Sequence, residues 1–281
     1  MFELTTNLIL ITFFGLIVKV IYLKKSNFNS KNQNEMGLFN NLFKKKEEKT
    51  ESVVSQQNNS IQFTSENDFL EKFGAIALEK QRNLFEITGG LSWNVDMDKE
   101  EITFGDDLTF PMQVLGSFSH SSETWLWIWD NKAGGYTESV MKQALLLKQY
   151  GEENNIDLLT VGNFDAASND LHLIGMMAVE MFNSSGYYLG NYGQGTMVVT
   201  IKSDVIDQVE SEEFSRITTV FPELISTFEI QNHKNAFTNY LSQKGYELIS
   251  NGNEIKAEKN GKVINALFND DDLLIKLNGN S

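Results

Sequence analysis

"SSETWLWIWDN", residues 121–131, is the most informative segment of the sequence for the fold. It holds three of the chain's four tryptophans, on every second residue: Trp125, Trp127 and Trp129. Alternate residues of a β-strand share a face, so this spacing predicts a strand with the three indoles on one side. The residues between them, Thr124, Leu126 and Ile128, are also mostly apolar. A strand that is apolar on both faces is typical of a covered, central position.

The polar end of this strand is our candidate binding site. Buried indole N–H groups need acceptors, and Asp130 and Asn131 follow Trp129 directly. His120 lies in the "SHSSE" turn before the strand, beside hydroxyl and carboxyl side chains. We therefore expect a polar-edged cleft near Trp129, Asp130, Asn131 and His120. No catalytic residue is assigned, because a Ser/His/acid site needs convergence that a hairpin tip alone does not provide.

The segments on either side of the tryptophan strand predict an α+β fold, with an antiparallel sheet and helices packed on one face. Ser65 is a typical N-cap, and Gly89-Gly90 ends the apolar periodicity that begins there. Gly116 inside a strand pattern indicates a bulge or a close backbone approach, and Gly151 is a candidate helix end. The predicted elements are a helix after 65, strands at 91–96, 101–105, 110–118 and 124–129, helices at 140–150 and 170–183, and a hairpin at 187–202.

Three motifs in this region resemble those of a bacterial family of unknown function: "VLGSFSHSSETWLWIWDN", "QYGEENNIDLLT" and "HLIGMMAVEMFNSSGYY". The family core reads approximately Leu-Gly-Ser/Thr, then Thr-Trp-Leu-Trp-Ala-Trp-Ala-Asn. The resemblance covers about residues 65–205 and departs from the pattern at Ile128 and Asp130, where the family has Ala. It implies the limits of a domain, which we place at 63–205, and no reaction.

The remaining 206–281 predict a helical connection followed by a helix and a β-meander. A helix over 204–230 is expected to break at Phe221-Pro222, and Gly245 ends the next helix. Asn251-Gly252 and Asn260-Gly261 are typical of type I′ hairpin turns. The meander is either a small separate module or an extension of the main sheet.

The N-terminus predicts a membrane anchor. Leu4 to Leu23 is about 20 mostly apolar residues, long enough for one span, and Lys24-Lys25 follow it. The positive-inside rule then places the body in the cytoplasm, held at the inner membrane surface by an anchor at 1–25 and a disordered polar tether at 26–62. Translation from Met36 would remove the span and leave a cytoplasmic protein.

Charge and composition limit the function classes. The net charge is −15, and residues 1–50 carry eight Lys and four Glu, so the body is strongly acidic. An acidic body without a basic aromatic surface disfavours nucleic-acid binding. The chain has no Cys, and neither the spacing of His172 and Glu180 nor "DDD" at 270–272 fits a metal site, so we expect no metal and no cofactor.

Our leading hypothesis is a non-enzymatic, membrane-tethered binding protein that faces the cytoplasm. It would be of the immunity type or regulatory, and would present its acidic surface to a basic protein partner. The alternative hypothesis is a hydrolase or small-ligand enzyme with a cleft beside the tryptophan strand. Polar side chains that converge in such a cleft would favour the alternative.

Overall fold

The computed structural model describes residues 61–209 and 213–280. The helices are α1 (Glu66–Phe69), a π-helical segment (Leu70–Gly74), α2 (Ala75–Thr88), α3 (Lys142–Asn154), α4 (Asp157–Thr160), α5 (Ser168–Met181), α6 (Asp204–Asp207), α7 (Glu213–Thr227) and α8 (His233–Gln243). The strands are β1 (Trp93–Asp96), β2 (Glu101–Phe104), β3 (Leu108–Ser119), β4 (Thr124–Trp127), β5 (Asn163–Asp165), β6 (Gly186–Asn191), β7 (Gly195–Ile201), β8 (Glu247–Asn251), β9 (Glu254–Lys259), β10 (Lys262–Phe268) and β11 (Leu274–Asn280).

Two antiparallel sheets carry the fold, which confirms the α+β class. The first has seven strands in the order β1-β2-β3-β4-β5, with β7 paired to β3 and β6 paired to β7. The second has four strands in the order β11-β10-β9-β8, so the meander is a sheet of its own and does not extend the first. Helices α2 and α5 contact β6, and α3 contacts β3.

The long strand β3 organises the first sheet. Its first half pairs with β2, and its second half lies between β4 and β7. Its register with β7 shifts between Val114 and Gly116, which is the predicted bulge. A Cβ atom on Gly116 would lie 2.5 Å from the Leu126 carbonyl oxygen and 2.5 Å from Cζ2 of Trp125. The bulge and the close approach predicted at Gly116 are therefore both present.

The tryptophan strand is shorter than predicted. It ends at Trp127, and Ile128–Asp130 form a 3₁₀ turn, so Trp129 does not share a strand face with the other two indoles. Both ladders of β4 end at this point. Its pairing with β3 stops at Trp127 and Gly116, beside the bulge, and on the β5 side the Trp127 N–H donates to the Gly162 carbonyl oxygen at 2.9 Å. The next residues have no strand partner in the described chain, and the chain turns. Trp125 and Trp127 are fully buried, as expected for a central strand.

Two predicted helix ends are wrong. Helix α3 continues past Gly151 to Asn154, and Asn155 takes the left-handed conformation with φ 56°. Gly151 is instead a contact point, because a Cβ there would lie 2.6 Å from Cβ of Leu159. Helix α7 passes through Pro222 without a break, since the neighbouring apolar residues hold it against the core. These buried residues are Ile217, Val220, Phe221 and Leu224.

The meander turns agree with the prediction at one hairpin and differ at the other. Asn260 and Gly261 have φ of 52° and 78°, as a type I′ turn requires. In the first hairpin Asn251 pairs with Glu254, so the loop residues are Gly252 and Asn253. Positive φ at Gly252 alone is typical of type II′. Gly245, with φ 75°, follows α8 as predicted.

The predicted membrane anchor, 1–25, and nearly all of the predicted tether, 26–62, lie outside the described residues. Among the residues that the structure does describe, none of the helices combines the length and the apolar character that a bilayer crossing requires.

Candidate functional site

A cleft lies on the face of the first sheet opposite the buried tryptophans. Its floor consists of the side chains of Leu126 on β4, Ser117 on β3 and Met197 on β7. Ser117 pairs with Leu126 on one side and with Met197 on the other, so the three side chains form a row across the sheet. Trp125 and Trp127 point away from this row, because successive residues of a strand alternate between faces.

The walls of the cleft come from segments that are distant in sequence. The 3₁₀ turn after β4 supplies Ile128, and Asn131, which directly follows this turn, also lines the cleft. The loop before α3 supplies Tyr136, the β6–β7 turn supplies Tyr192, and the segment after β1 supplies Met97. The enclosed volume is about 240 Å³.

Tyr192 is held at the rim by the β6–β7 turn. The turn contains Gly193, with φ 92°, whose N–H donates to Oδ1 of Asn191 at 2.8 Å. The Tyr192 ring lies against Gly195, which has no side chain to displace it. Tyr192 remains 52% exposed, so a bound group can reach its ring without a change in the core.

His120 connects two hairpin tips and does not line the cleft. Its Nε2 lies 2.9 Å from the Thr196 hydroxyl, and its Nδ1 lies 3.1 Å from the Gly193 carbonyl oxygen. Its backbone N–H donates to the Gln194 carbonyl at 3.1 Å. These contacts fix the β3–β4 turn to the β6–β7 turn that carries Tyr192.

Trp129 and Asp130 lie outside the cleft lining, on the other side of the 3₁₀ turn. The Trp129 ring stacks on Trp127 at a centroid distance of 6.2 Å, and Nζ of Lys148 lies 4.3 Å from its centroid. The Asp130 carboxylate packs against Gly162 and lies 3.3 Å from Nζ of Lys132. Of the four predicted binding residues, the structure therefore places Asn131 alone in the lining. Whether any of the four binds a ligand stays a prediction.

The lining is neutral. It combines two thioethers and two phenol rings with aliphatic groups, one hydroxyl and one amide. None of the described lining residues is charged, and no hydrogen bond found in the described parts joins Ser117, Asn131, Tyr136 and Tyr192 to one another. The lining can receive an uncharged group and form a few hydrogen bonds to its polar atoms. Among the described lining residues there is no acid–base pair.

The sequence carried a usable signal for some of the missed residues. Ser117 and Met197 follow from strand alternation once Gly116 is recognised as a bulge. Tyr192 stands in "GNYGQG", where a large aromatic ring in a glycine-rich turn is an exposed contact residue. Nothing in the sequence points to Tyr136 or Met97, because their place depends on how the loops fold back over the sheet.

A largely buried polar pair, His172 and Tyr187, lies outside the cleft lining. Nδ1 of His172 on α5 is 2.8 Å from the Tyr187 hydroxyl on β6. Burial, and then the nearby Arg82 cation, lower the pKa of His172 below its ordinary value. Burial raises the pKa of Tyr187. Both groups are therefore neutral at pH 7, and the pair joins a helix to the sheet.

Metal ligands do not gather in the part of the chain that the structure describes. No group of three or more His, Asp or Glu side chains there could hold an ion. The expectation that the protein takes no metal stays a prediction.

The cleft lies within a segment of the chain that matches a known protein family. Residues 67–204 match the model of a family of unknown function (DUF6882). We refer to residues 67–204 as the DUF6882 segment. The DUF6882 segment contains all the cleft-lining residues and ends within α6, before α7 and the meander. The family resemblance expected over about residues 65–205 is therefore confirmed. No curated protein and no solved structure matches the chain.

Proposed function

We propose that the DUF6882 segment is a protein-binding domain whose cleft receives one uncharged side chain of a partner. The observation that carries this proposal is the uncharged lining, which contains two methionines, Met97 and Met197, and two tyrosines, Tyr136 and Tyr192. Met side chains adapt their shape to a bound group, and Tyr is enriched at interfaces because its ring is apolar and its hydroxyl is polar.

The size of the cleft supports a side chain as the occupant. Sites for drug-sized molecules usually enclose about 300–1,000 Å³. The cleft, at about 240 Å³, is smaller than this range. One buried anchor side chain in a pocket is a common source of binding energy in protein interfaces, with the surrounding contacts excluding water.

We further propose that the helices cover one face of the first sheet and leave the other face for the partner. In support, Trp125 and Trp127 are fully buried on one side of β4, whereas Leu126 on the other side is half-buried in the cleft. This arrangement lets a partner reach the cleft without displacing a helix.

The charge of the chain favours a basic partner. A net charge of −15 attracts cationic proteins at long range and speeds their encounter, an effect that salt weakens. The uncharged cleft would then supply the contact that persists at high salt. This combination keeps the regulatory or immunity-type hypothesis, in which the protein covers a basic partner.

The enzyme alternative receives less support from the cleft. Acid–base catalysis needs a titratable group near the operating pH within about 3 Å of the reacting proton. The described lining offers only hydroxyl and amide groups besides its apolar atoms.

Membrane attachment through residues 1–25 completes the proposal. The apolar run from Leu4 to Leu23 supports it, and Lys24-Lys25 support a cytoplasmic body. Fractionation of cells tests this part separately. Recovery of the full chain wholly in the soluble fraction would contradict the anchor.

Selection of peptides from a displayed random library on the full-length chain tests the cleft. We expect the enriched peptides to share one aromatic or large aliphatic residue in a basic context. Ser117→Trp fills the cleft with an indole and should lower the affinity for these peptides at least about tenfold, which is a loss of about 1.4 kcal/mol in binding free energy. Phe85→Ala, at a residue 39% exposed and away from the lining, is the matched control and should leave affinity unchanged. Peptides that bind Ser117→Trp as well as the wild type would contradict the proposal.

A further inference from the structure

Strand β8 is an exposed sheet edge. Four of its five residues are exposed, and its only strand partner in the described chain is β9. Asn251 and Glu254 flank a two-residue loop, so they form a hydrogen-bonded pair, and hydrogen-bonded pairs then alternate along the ladder. Leu248 and Ser250 fall at the other positions, with their N–H and C=O groups directed away from β9. Among the described residues, no backbone hydrogen bond reaches these outward groups.

The other described sheet edges are shorter than β8, irregular in register or packed against another element. Strand β5 has three residues, which is too short to pair extensively. Strand β6 lies against α2, where Gly186 contacts Leu84. Strand β11 contains an irregular register, and its Gly279 lies against the Phe214 ring. Strand β1 ends in the ion pair of Asp96 with Lys99. Short length, bulges, covering elements and charges are the usual protections against edge pairing.

The sequence of β8 is complementary to itself in one antiparallel register. A two-fold axis through Ile249 sets Leu248 opposite Ser250 of a second strand, so the outward N–H and C=O groups of both residues find partners. Glu247 then lies opposite Asn251, whose amide can donate to the carboxylate, and no two carboxylates face each other. Ile249, which is 60% exposed, meets its own copy on the axis.

We propose that β8 pairs with β8 of a second copy of this chain in that register. The two four-stranded sheets would then form one eight-stranded sheet across the two-fold axis. Ile249 lies in a row with Lys256, Asn265 and Asn278 on the open face of the meander. These four residues line a depression of about 520 Å³. Pairing removes the exposed edge and buries the two Ile249 side chains against each other.

The expected association is weak and strengthens with salt. Four backbone hydrogen bonds and a pair of isoleucines bury less area than the roughly 1,200 Å² of a stable interface. Each chain also carries a net charge of −15, so two copies repel each other at low ionic strength. Salt that screens this repulsion should therefore increase pairing.

Cysteine crosslinking tests the register directly, because the chain contains no Cys. Side chains at a pair without mutual hydrogen bonds have Cα atoms about 4.5 Å apart, which lies within the range of a disulfide. The full-length Ile249→Cys variant should form covalent dimers under mild oxidation, at a rate that rises severalfold at high salt. Ser250→Cys is the register control, because two copies of residue 250 are offset by two positions, about 7 Å along the strand.

Ile275→Cys is the exposure control, since Ile275 is 61% exposed on β11 of the same sheet. Both controls should crosslink at least about fivefold more slowly than Ile249→Cys. Equal rates for the three variants, or no dimer of Ile249→Cys at any salt concentration, would overturn the proposal.

Discussion

Gly116 shows how one residue couples the buried face of the sheet to the open face. Its missing side chain lets the Trp125 ring and the Leu126 carbonyl approach β3, and the bulge beside it puts Ser117 on the cleft floor. The sequence was sufficient to predict this feature, because glycine in an apolar strand pattern has few other causes. The sequence pointed to the cleft only at Asn131, since a bulge does not reveal which side chains lie above it.

Gly116→Ala should destabilise the fold by more than about 2 kcal/mol, because the added methyl group overpacks the contact with Trp125. Chemical denaturation measures the loss. Gly193→Ala is the control, since Gly193 has φ 92° and nothing within 4 Å of its missing Cβ. Backbone strain alone should lower its free energy of unfolding by about 1 kcal/mol. Equal losses for the two variants would show that the close approach is absent.

His172 predicts an acid sensitivity of the fold. Its pKa is lowered in the folded state, so below its ordinary value of 6.5 the unfolded chain binds more protons than the folded one. The contribution of neutral His172 to the free energy of unfolding is complete above pH 6.5. It falls as the pH decreases toward the pKa of His172 in the folded state. The slope reaches at most about 1.4 kcal/mol per pH unit for one proton. Denaturation of His172→Gln between pH 7 and pH 5 should give a flatter dependence than the wild type, and an identical slope would contradict the assignment.

At the scale of elements, strand and hairpin positions were predictable and their ends were not. The pairs β1–β2, β3–β4 and β6–β7 follow from alternation and turn residues. The early end of β4 depends on where β3 and β5 stop pairing with it, and β5 pairs with it from 37 or more residues away in sequence. The unbroken α7 is a similar case, because burial of Phe221 and Leu224 outweighs the cost of Pro222 inside the helix.

Helices α2 and α8 are joined by a buried polar contact that should dominate their packing. Glu79 accepts from the Tyr240 hydroxyl at 2.6 Å and from Nζ of Lys244 at 2.7 Å. Lys244→Met leaves a buried carboxylate without its cation and should cost about 3–5 kcal/mol. Replacing both partners, in Glu79→Leu with Lys244→Met, should cost less than Lys244→Met alone.

The exposed pair of Lys72 with Asp68 supplies the comparison for this prediction. Its two side chains are 43% and 26% exposed, and Lys72→Met should change the free energy of unfolding by less than about 1 kcal/mol. A loss for Lys244→Met no larger than that for Lys72→Met would mean that the Glu79 contact is not formed as described.

At the scale of the molecule, the predicted boundary near residue 205 separates two sheets but not two independent packing units. Gly74 lies against Leu224, and Arg82 pairs with Glu223, so α7 packs on the helices of the DUF6882 segment. Sequence patterns locate such elements one at a time and give no information on contacts between them. Most of the cleft lining was missed for the same reason, because it comes from positions between Met97 and Met197.

The two sheets should therefore unfold together. Calorimetry of the full chain should give one transition, with equal calorimetric and van't Hoff enthalpies for the described body. Two separated transitions, with Lys244→Met shifting only one of them, would show that 206–281 is a module of its own.

The proposed function depends on occupancy of the cleft by an uncharged side chain, and the methionines of the lining allow a direct measurement. Met97 and Met197 line the cleft, whereas Met112, Met176 and Met177 are buried in the core. Methyl NMR of the full chain, titrated with N-acetyl-phenylalaninamide, should show saturable shifts at Met97 and Met197 and none at the core methionines. Ser117→Trp should abolish the response. Shifts that never saturate, that spread equally over all methionines, or that persist in Ser117→Trp would contradict the claim.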